Sequence, residues 1–160
     1  MDSPEKQAER LWRQGLRYHG RGQLNLAMEQ YRLSLLIHPT AEAHTYLGWA
    51  LSNQEDTLDE AIACCKRAIQ VDPEFGNPYN DIGCYLMQAG KFEEAIPWLE
   101  RAKKATRYDS PQFPYMNLGR ILLLMGRFEE ARNEFAEAVK LAPEDSQAQR
   151  ALQKLVARFN

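Results

Sequence analysis

Residues 112–145 read QFPYMNLGRILLLMGRFEEARNEFAEAVKLAPED. Tyr115, Leu118, Gly119 and Leu122 stand at i, i+3, i+4 and i+7, and Phe128, Ala131, Phe135, Ala138 and Leu141 carry the same helical period past Gly126. This is the pattern of two helices joined by a turn, with Gly126 where the first helix needs a left-handed residue to close. The pattern occurs four times. Its glycines are Gly15, Gly48, Gly83 and Gly119, and its alanines are Ala27, Ala61, Ala95 and Ala131. Tyr31, Cys65, Leu99 and Phe135 follow four residues after each alanine, and Ser34, Ala68, Ala102 and Ala138 three residues after those. A period of about 34 residues predicts a stack of similar helix pairs rather than one globular core.

The copies differ in ways that locate insertions. Alanine spacings are 34, 34 and 36 residues, whereas glycine spacings are 33, 35 and 36. The second copy therefore holds an extra residue near Asn53-Gln54-Glu55-Asp56, where the others have Gly22, Gly90 or Gly126. Two further residues enter around Thr106-Arg107-Tyr108-Asp109. Pro39, Pro73 and Pro143 close copies one, two and four, because proline does not continue a helix; copy three has Arg107 in that slot. Ser3-Pro4, Asn77-Pro78 and Ser110-Pro111 read as helix starts, a capping side chain before a proline. Pro97 lies inside the second helix of copy three, where a mild bend is expected.

From Glu144 to Phe159, Ala148, Ala151, Leu152, Leu155, Val156 and Phe159 form one apolar stripe with Gln149, Arg150, Gln153 and Lys154 opposite. That is the pattern of a terminal capping helix. Arg10, Arg13 and Arg17 share one side of the first helix, which no repeat precedes, and read as its solvated face.

Length and composition suit one domain with a sizeable core. A net charge of −2 and a pI near 6.0 argue against nucleic acid or an anionic membrane as the main partner. The longest uninterrupted apolar run, Ile121 to Met125, is far too short to span a bilayer. The start of the chain lacks the pattern of a secretory signal, and three cysteines without pairing spacing fit a reducing, cytoplasmic setting.

The four copies resemble the tetratricopeptide repeat, whose signature runs Trp-x2-Leu-Gly-x2-Tyr, then Ala-x3-Phe, then Pro. Residues 112–145 match it with Tyr115, Leu118, Gly119, Leu122, Ala131, Phe135 and Pro143. The third copy supplies Tyr79, Ile82, Gly83, Leu86, Ala95 and Leu99, and the second His44, Leu47, Gly48, Leu51, Ala61, Cys65 and Pro73. The first supplies Leu11, Gly15, Tyr18, Ala27, Tyr31 and Pro39, with Gln14 before its glycine. The resemblance implies an all-α, right-handed α-solenoid of antiparallel helix pairs in a single domain spanning 1–160. Repeats are expected at about 8–41, 42–75, 76–109 and 112–145, and the capping helix at about 145–159.

In that family the first helices of the repeats line a concave groove. Carried over by register, the groove residues are Trp12 and Leu16, then Thr45 and Trp49, then Asn80 and Cys84. The fourth repeat adds Phe113, Met116, Asn117, Arg120 and Leu124. Two tryptophans, a phenylalanine and a methionine are not what a merely solvated face requires, so a protein or peptide partner with apolar anchors is expected. Ile121–Met125 makes the seventh helix apolar all round, leaving Leu123 or Leu124 for the groove. The subclass that clamps a C-terminal carboxylate is disfavoured, because Trp12 and Leu16 occupy the places of its Lys and Asn. A self-associating homodimer is the alternative, resembling small tetratricopeptide chaperones of secretion or assembly systems.

Catalytic readings are thin. His19, His38 and His44 are scattered and no pair has metal-ligand spacing. No glycine-rich phosphate loop occurs, so neither a cofactor nor a metal is expected. Cys84 with His44 is the one nucleophile pair to weigh, and nothing in the sequence orients a base or supplies an oxyanion site for it.

Overall fold

The computed structural model describes residues 1–159. They form nine α-helices: α1 (Pro4–Gly20), α2 (Leu24–Ile37), α3 (Ala41–Leu51), α4 (Leu58–Val71), α5 (Asn77–Gln88), α6 (Phe92–Lys103), α7 (Phe113–Leu124), α8 (Phe128–Leu141) and α9 (Ser146–Phe159). Each odd helix pairs with the next even one, and α9 packs on α8. Neighbouring first helices also touch, α1 with α3, α3 with α5 and α5 with α7. The architecture is an all-α helical-repeat solenoid with the first helices as one continuous layer.

Each pair is drawn together at a glycine. A Cβ on Gly119 would stand 2.5 Å from the Phe135 ring, and one on Gly83 would stand 2.5 Å from Leu99 Cδ2. Gly15 meets Tyr31 in the same way. The buried alanines Ala27, Ala61, Ala95 and Ala131 lie on the facing helices. Small residues at these points let the backbones approach. In pairs one, three and four the large side chain four residues later fills the space above the glycine, and in pair two the Ala61 carbonyl oxygen would stand 2.9 Å from a Cβ on Gly48.

Turn chemistry repeats as well. Gly22, Gly90 and Gly126 have φ of 75°, 75° and 77°. Around them the Gln23, Lys91 and Arg127 amides donate to the Tyr18, Leu86 and Leu122 carbonyls at 3.0, 2.8 and 2.8 Å, the Schellman closure of a helix C-terminus. The second pair lacks that glycine and turns through a short 3-10 segment at Glu55–Thr57 instead. There side chains satisfy the helix end: Asn53 Nδ2 donates to Ala50 O at 3.1 Å, and Thr57 Oγ1 donates to Leu51 O.

Ser3 caps α1, accepting from the Lys6 amide, and Thr40 caps α3, accepting from Ala43 at 3.1 Å. Two expected starts are corrected. Asn77 is already helical and follows Gly76, so its side chain caps nothing. Ser110-Pro111 precedes the start of α7, which opens at Phe113 with Pro114 in its first turn. A proline anywhere in the first turn loses no helical bond, so the dipeptide alone does not fix the boundary. α6 continues through Pro97.

The insertion at Thr106–Asp109 takes the place of a proline stop and is pinned from several sides. Arg107 and Phe75 form an isolated bridge, with Gly76 N–H donating to Arg107 O at 3.0 Å and Arg107 N–H to Glu74 O at 3.0 Å. The Arg107 guanidinium reaches Asp72 at 2.7 Å and Glu42 at 3.0 Å and lies over the Phe75 ring. Tyr108 packs onto Gly76, where a Cβ would overlap its ring.

Ala95→Leu is expected to overpack the α5/α6 crossing and lower stability by about 1–3 kcal/mol. Thermal circular dichroism checks this; an unchanged Tm contradicts the crossing.

Candidate functional site

The first-helix layer is built from one register repeated along α1, α3, α5 and α7. Counting from the crossing glycine separates two positions. The residue three before it is Trp12, Thr45, Asn80 or Met116. All four are buried, Thr45 to 1% exposure and Met116 to 3%. Two of them join neighbouring first helices: Trp12 packs on Tyr46 of α3, and Asn80 accepts a hydrogen bond from Asn117 of α7. The residue one after the glycine is Leu16, Trp49, Cys84 or Arg120. Trp49 and Arg120 are exposed, and Leu16 and Cys84 are half-buried. The expected groove list thus divides: Trp49 and Arg120 are displayed, Leu16 and Cys84 are only partly so, and the first set is buried.

Thr45 spends its hydroxyl on the Ala41 carbonyl at 2.7 Å. Met116 belongs to the main core with Ile121 and Phe135. Trp12 is held against Tyr46, ring centroids 5.6 Å apart, and its edge reaches a cleft of about 550 Å³ beside Leu16 and Tyr46. Arg107 and Asp109 of the inserted loop form another wall of that cleft.

Trp49 is 46% exposed and stacks on His19, with centroids 3.7 Å apart and planes 23° from parallel. His19 in turn places Nδ1 3.1 Å from the Tyr31 hydroxyl, and burial lowers its pKa. The indole is therefore oriented from behind while its other face meets solvent. On α7, Phe113 is 41% and Leu124 64% exposed, at opposite ends of a helix about 17 Å long. Of the all-apolar run, Ile121 and Leu122 are buried, so Leu124 is the residue the core does not take.

Asn80, Asn117 and Arg120 are brought together. Arg120 Nη1 donates to Asn117 Oδ1 at 2.9 Å, and Asn117 Nδ2 donates to Asn80 Oδ1 at 2.9 Å. The ladder links α5 to α7 and aims Arg120 along the layer. Next to Asn80 stands Asp81, which sequence reasoning missed. Burial pushes its carboxyl up to about 7, opposed in part by a hydrogen bond from Asn80. Its negative charge is felt by Tyr46, Cys84, Tyr85 and Tyr108, whose pKa values all rise, chiefly through burial. One signal for it was available: the register that places Tyr46 and Asn117 two residues before their glycines places Asp81 there in the third repeat.

Cys84 shares this environment, and burial followed by the Asp81 charge pushes its thiol up to about 12. So little thiolate at neutral pH removes the chemistry a nucleophile needs. Among the described residues, no cluster of three or more His, Cys, Asp or Glu side chains could hold a metal ion. No helix among them is long and apolar enough to cross a membrane.

Family models of the tetratricopeptide repeat match residues 47–110 and 113–145, and the chain belongs to the tetratricopeptide-repeat family. That family is in general a non-catalytic protein-interaction fold, and its repeats support reading the chain as a protein-interaction scaffold. It is 27% identical over 95 residues to small glutamine-rich tetratricopeptide repeat-containing protein 2 of Mycosarcoma maydis. The match takes in 59% of this chain and only 27% of that protein's length. Among solved structures, PilF of Pseudomonas aeruginosa is similar with a TM-score of 0.88 at 24% identity, over 98% of this chain and 70% of its own. PilW, a type IV pilus biogenesis factor, is similar with a TM-score of 0.80 at 16% identity, over 92% and 68%. MamA is similar with a TM-score of 0.69 at 20% identity, over 91% and 84%. At these identities the likeness shows the fold alone.

A carboxylic acid with a higher pKa folded than unfolded stabilises the fold below its ordinary value near 4. That contribution is lost as the pH climbs through about 7. Asp81→Asn is therefore expected to be more stable than the wild type at pH 8, with the advantage shrinking towards pH 4. Urea midpoints of both proteins across this range read the difference; parallel pH profiles contradict it.

Proposed function

We propose that the first-helix layer holds a protein or peptide partner by apolar anchors. The observation that carries this reading is Trp49, oriented by its stack on His19 and still 46% exposed to solvent. Leu124 adds a second exposed anchor on the same layer. Large side chains held rigidly at low conformational cost are the usual centres of interface energy. The Asn80–Asn117–Arg120 ladder lies between the two and supplies a fixed donor for a backbone carbonyl or carboxylate. The free thiols of Cys64, Cys65 and Cys84 suit a reducing compartment such as the cytoplasm.

Trp49→Ala combined with Leu124→Ala is expected to abolish capture of the partner from extract of the source cells while leaving the helical circular dichroism intact. Met116 is unsuited to this test, since truncating a core side chain would lower stability by about 2–5 kcal/mol. Undiminished capture by the double variant contradicts the assignment of the anchors.

A further inference from the structure

We infer that the cleft between α7 and α9 receives an acidic segment of a protein partner, its Asp or Glu side chains set on Arg120, Arg150, Lys154 and Arg158. The inference rests on the scaffold reading above and names the chemistry of what the scaffold takes at its C-terminal end.

The cleft measures about 470 Å³, and its lining includes those four cations and no carboxylate. That is a local reversal in a chain whose net charge is −2. The cleft at the other end of the layer is mixed: Glu5, Glu9, Glu42 and Asp109 line it with Arg13 and Arg107. Arg107 there is already paired with Glu42 and Asp72.

Pairing inside the protein does not account for the basic cleft. Lys103, Arg107, Arg127 and Lys140 each hold a carboxylate. Among the described residues, no such ion pair forms at Arg120, Arg150, Lys154 or Arg158. Arg150 donates to Ser146 O and Oγ at 3.2 and 3.0 Å, and Arg158 lies over the Phe128 and Phe159 rings. Asp145 feels the Arg120 charge but is held by Gln112 at 3.2 Å and by the start of α9. Arg150, Lys154 and Arg158 recur every fourth residue, one turn apart on one face of α9. Like charges at that spacing destabilise a helix, and an external anion relieves them.

The floor is apolar. Leu123, Phe135, Ala151 and Leu155 lie beneath the cations, so the occupant needs aliphatic groups beside its carboxylates. An acidic stretch with interspersed leucines supplies both. A nucleic-acid backbone supplies only the charge, and would meet a protein that is negative overall.

Fluorescence anisotropy on the full chain tests this with a labelled peptide of alternating Glu and Leu, acetylated and amidated so that only side chains carry charge. Saturable binding is expected, weakened about tenfold or more by Arg150→Glu with Lys154→Glu and retained by Arg150→Lys. The Lys/Leu peptide is expected not to bind. Circular dichroism confirms that the variants fold; the reversal turns the like-charge spacing of positions 154 and 158 into an opposite-charge one and keeps a like-charge spacing at 150 and 154. No saturable binding, equal affinity in the double reversal, or tighter binding of heparin or a DNA oligonucleotide than of the peptide overturns the inference. Peptide failure with partner capture still dependent on Trp49 and Leu124 sinks the acidic segment alone. Peptide binding with capture indifferent to those anchors sinks the anchor assignment instead.

Discussion

Everything in this molecule depends on how closely two helices can approach at a glycine. Phe135 fits only because Gly119 has no Cβ, and the same holds for Leu99 above Gly83 and Tyr31 above Gly15. One helix pair cannot bury both of its apolar faces, so the crossing must be repeated until neighbours cover one another. The shared crossing sets a common tilt for successive pairs and so aligns α1, α3, α5 and α7 into one layer. Function is then a matter of which side chains that layer keeps and which it shows.

Much of this was legible in the sequence, because crossings and turns have strict chemical demands. Only a residue without a side chain fits under Phe135, and only a left-handed residue suits the turn at Gly126. Four agreeing registers turn such demands into an architecture. The groove was harder to read. Met116 and Arg120, or Thr45 and Trp49, lie one helical turn apart on the same stripe, so periodicity assigns them together. Burial parts them: Thr45 and Met116 are covered, whereas Trp49, although His19 of the preceding repeat stacks on it, keeps 46% of its surface in solvent. That depends on the angle between repeats, which no single helix encodes.

The insertion before α7 was visible as a spacing anomaly, but its consequences were not. Arg107 stands where other repeats place proline, and it stops the helix by contacts rather than by stereochemistry. It ties Asp72 and Glu42 together, and its hydrogen bond to Asp72 is the first cause of that carboxyl's lowered pKa. Tyr108, seated on Gly76, feels the charge of Asp81, which together with burial raises its pKa. The result is a first-helix layer whose ends differ: a mixed cleft beside Trp12 and Tyr46, and a basic one between α7 and α9. Identical repeats would present the same surface throughout; the departures from identity give this layer direction.

The central claim is that the first-helix layer, and not the outer helices, is the binding face. Hydroxyl-radical footprinting of the chain with and without its captured partner measures this residue by residue. Protection is expected at Trp49, Phe113 and Leu124, with no change at Leu36 and Val71, which are exposed on the second helices. Protection confined to Leu36 and Val71, with Trp49 still reactive, would contradict the account.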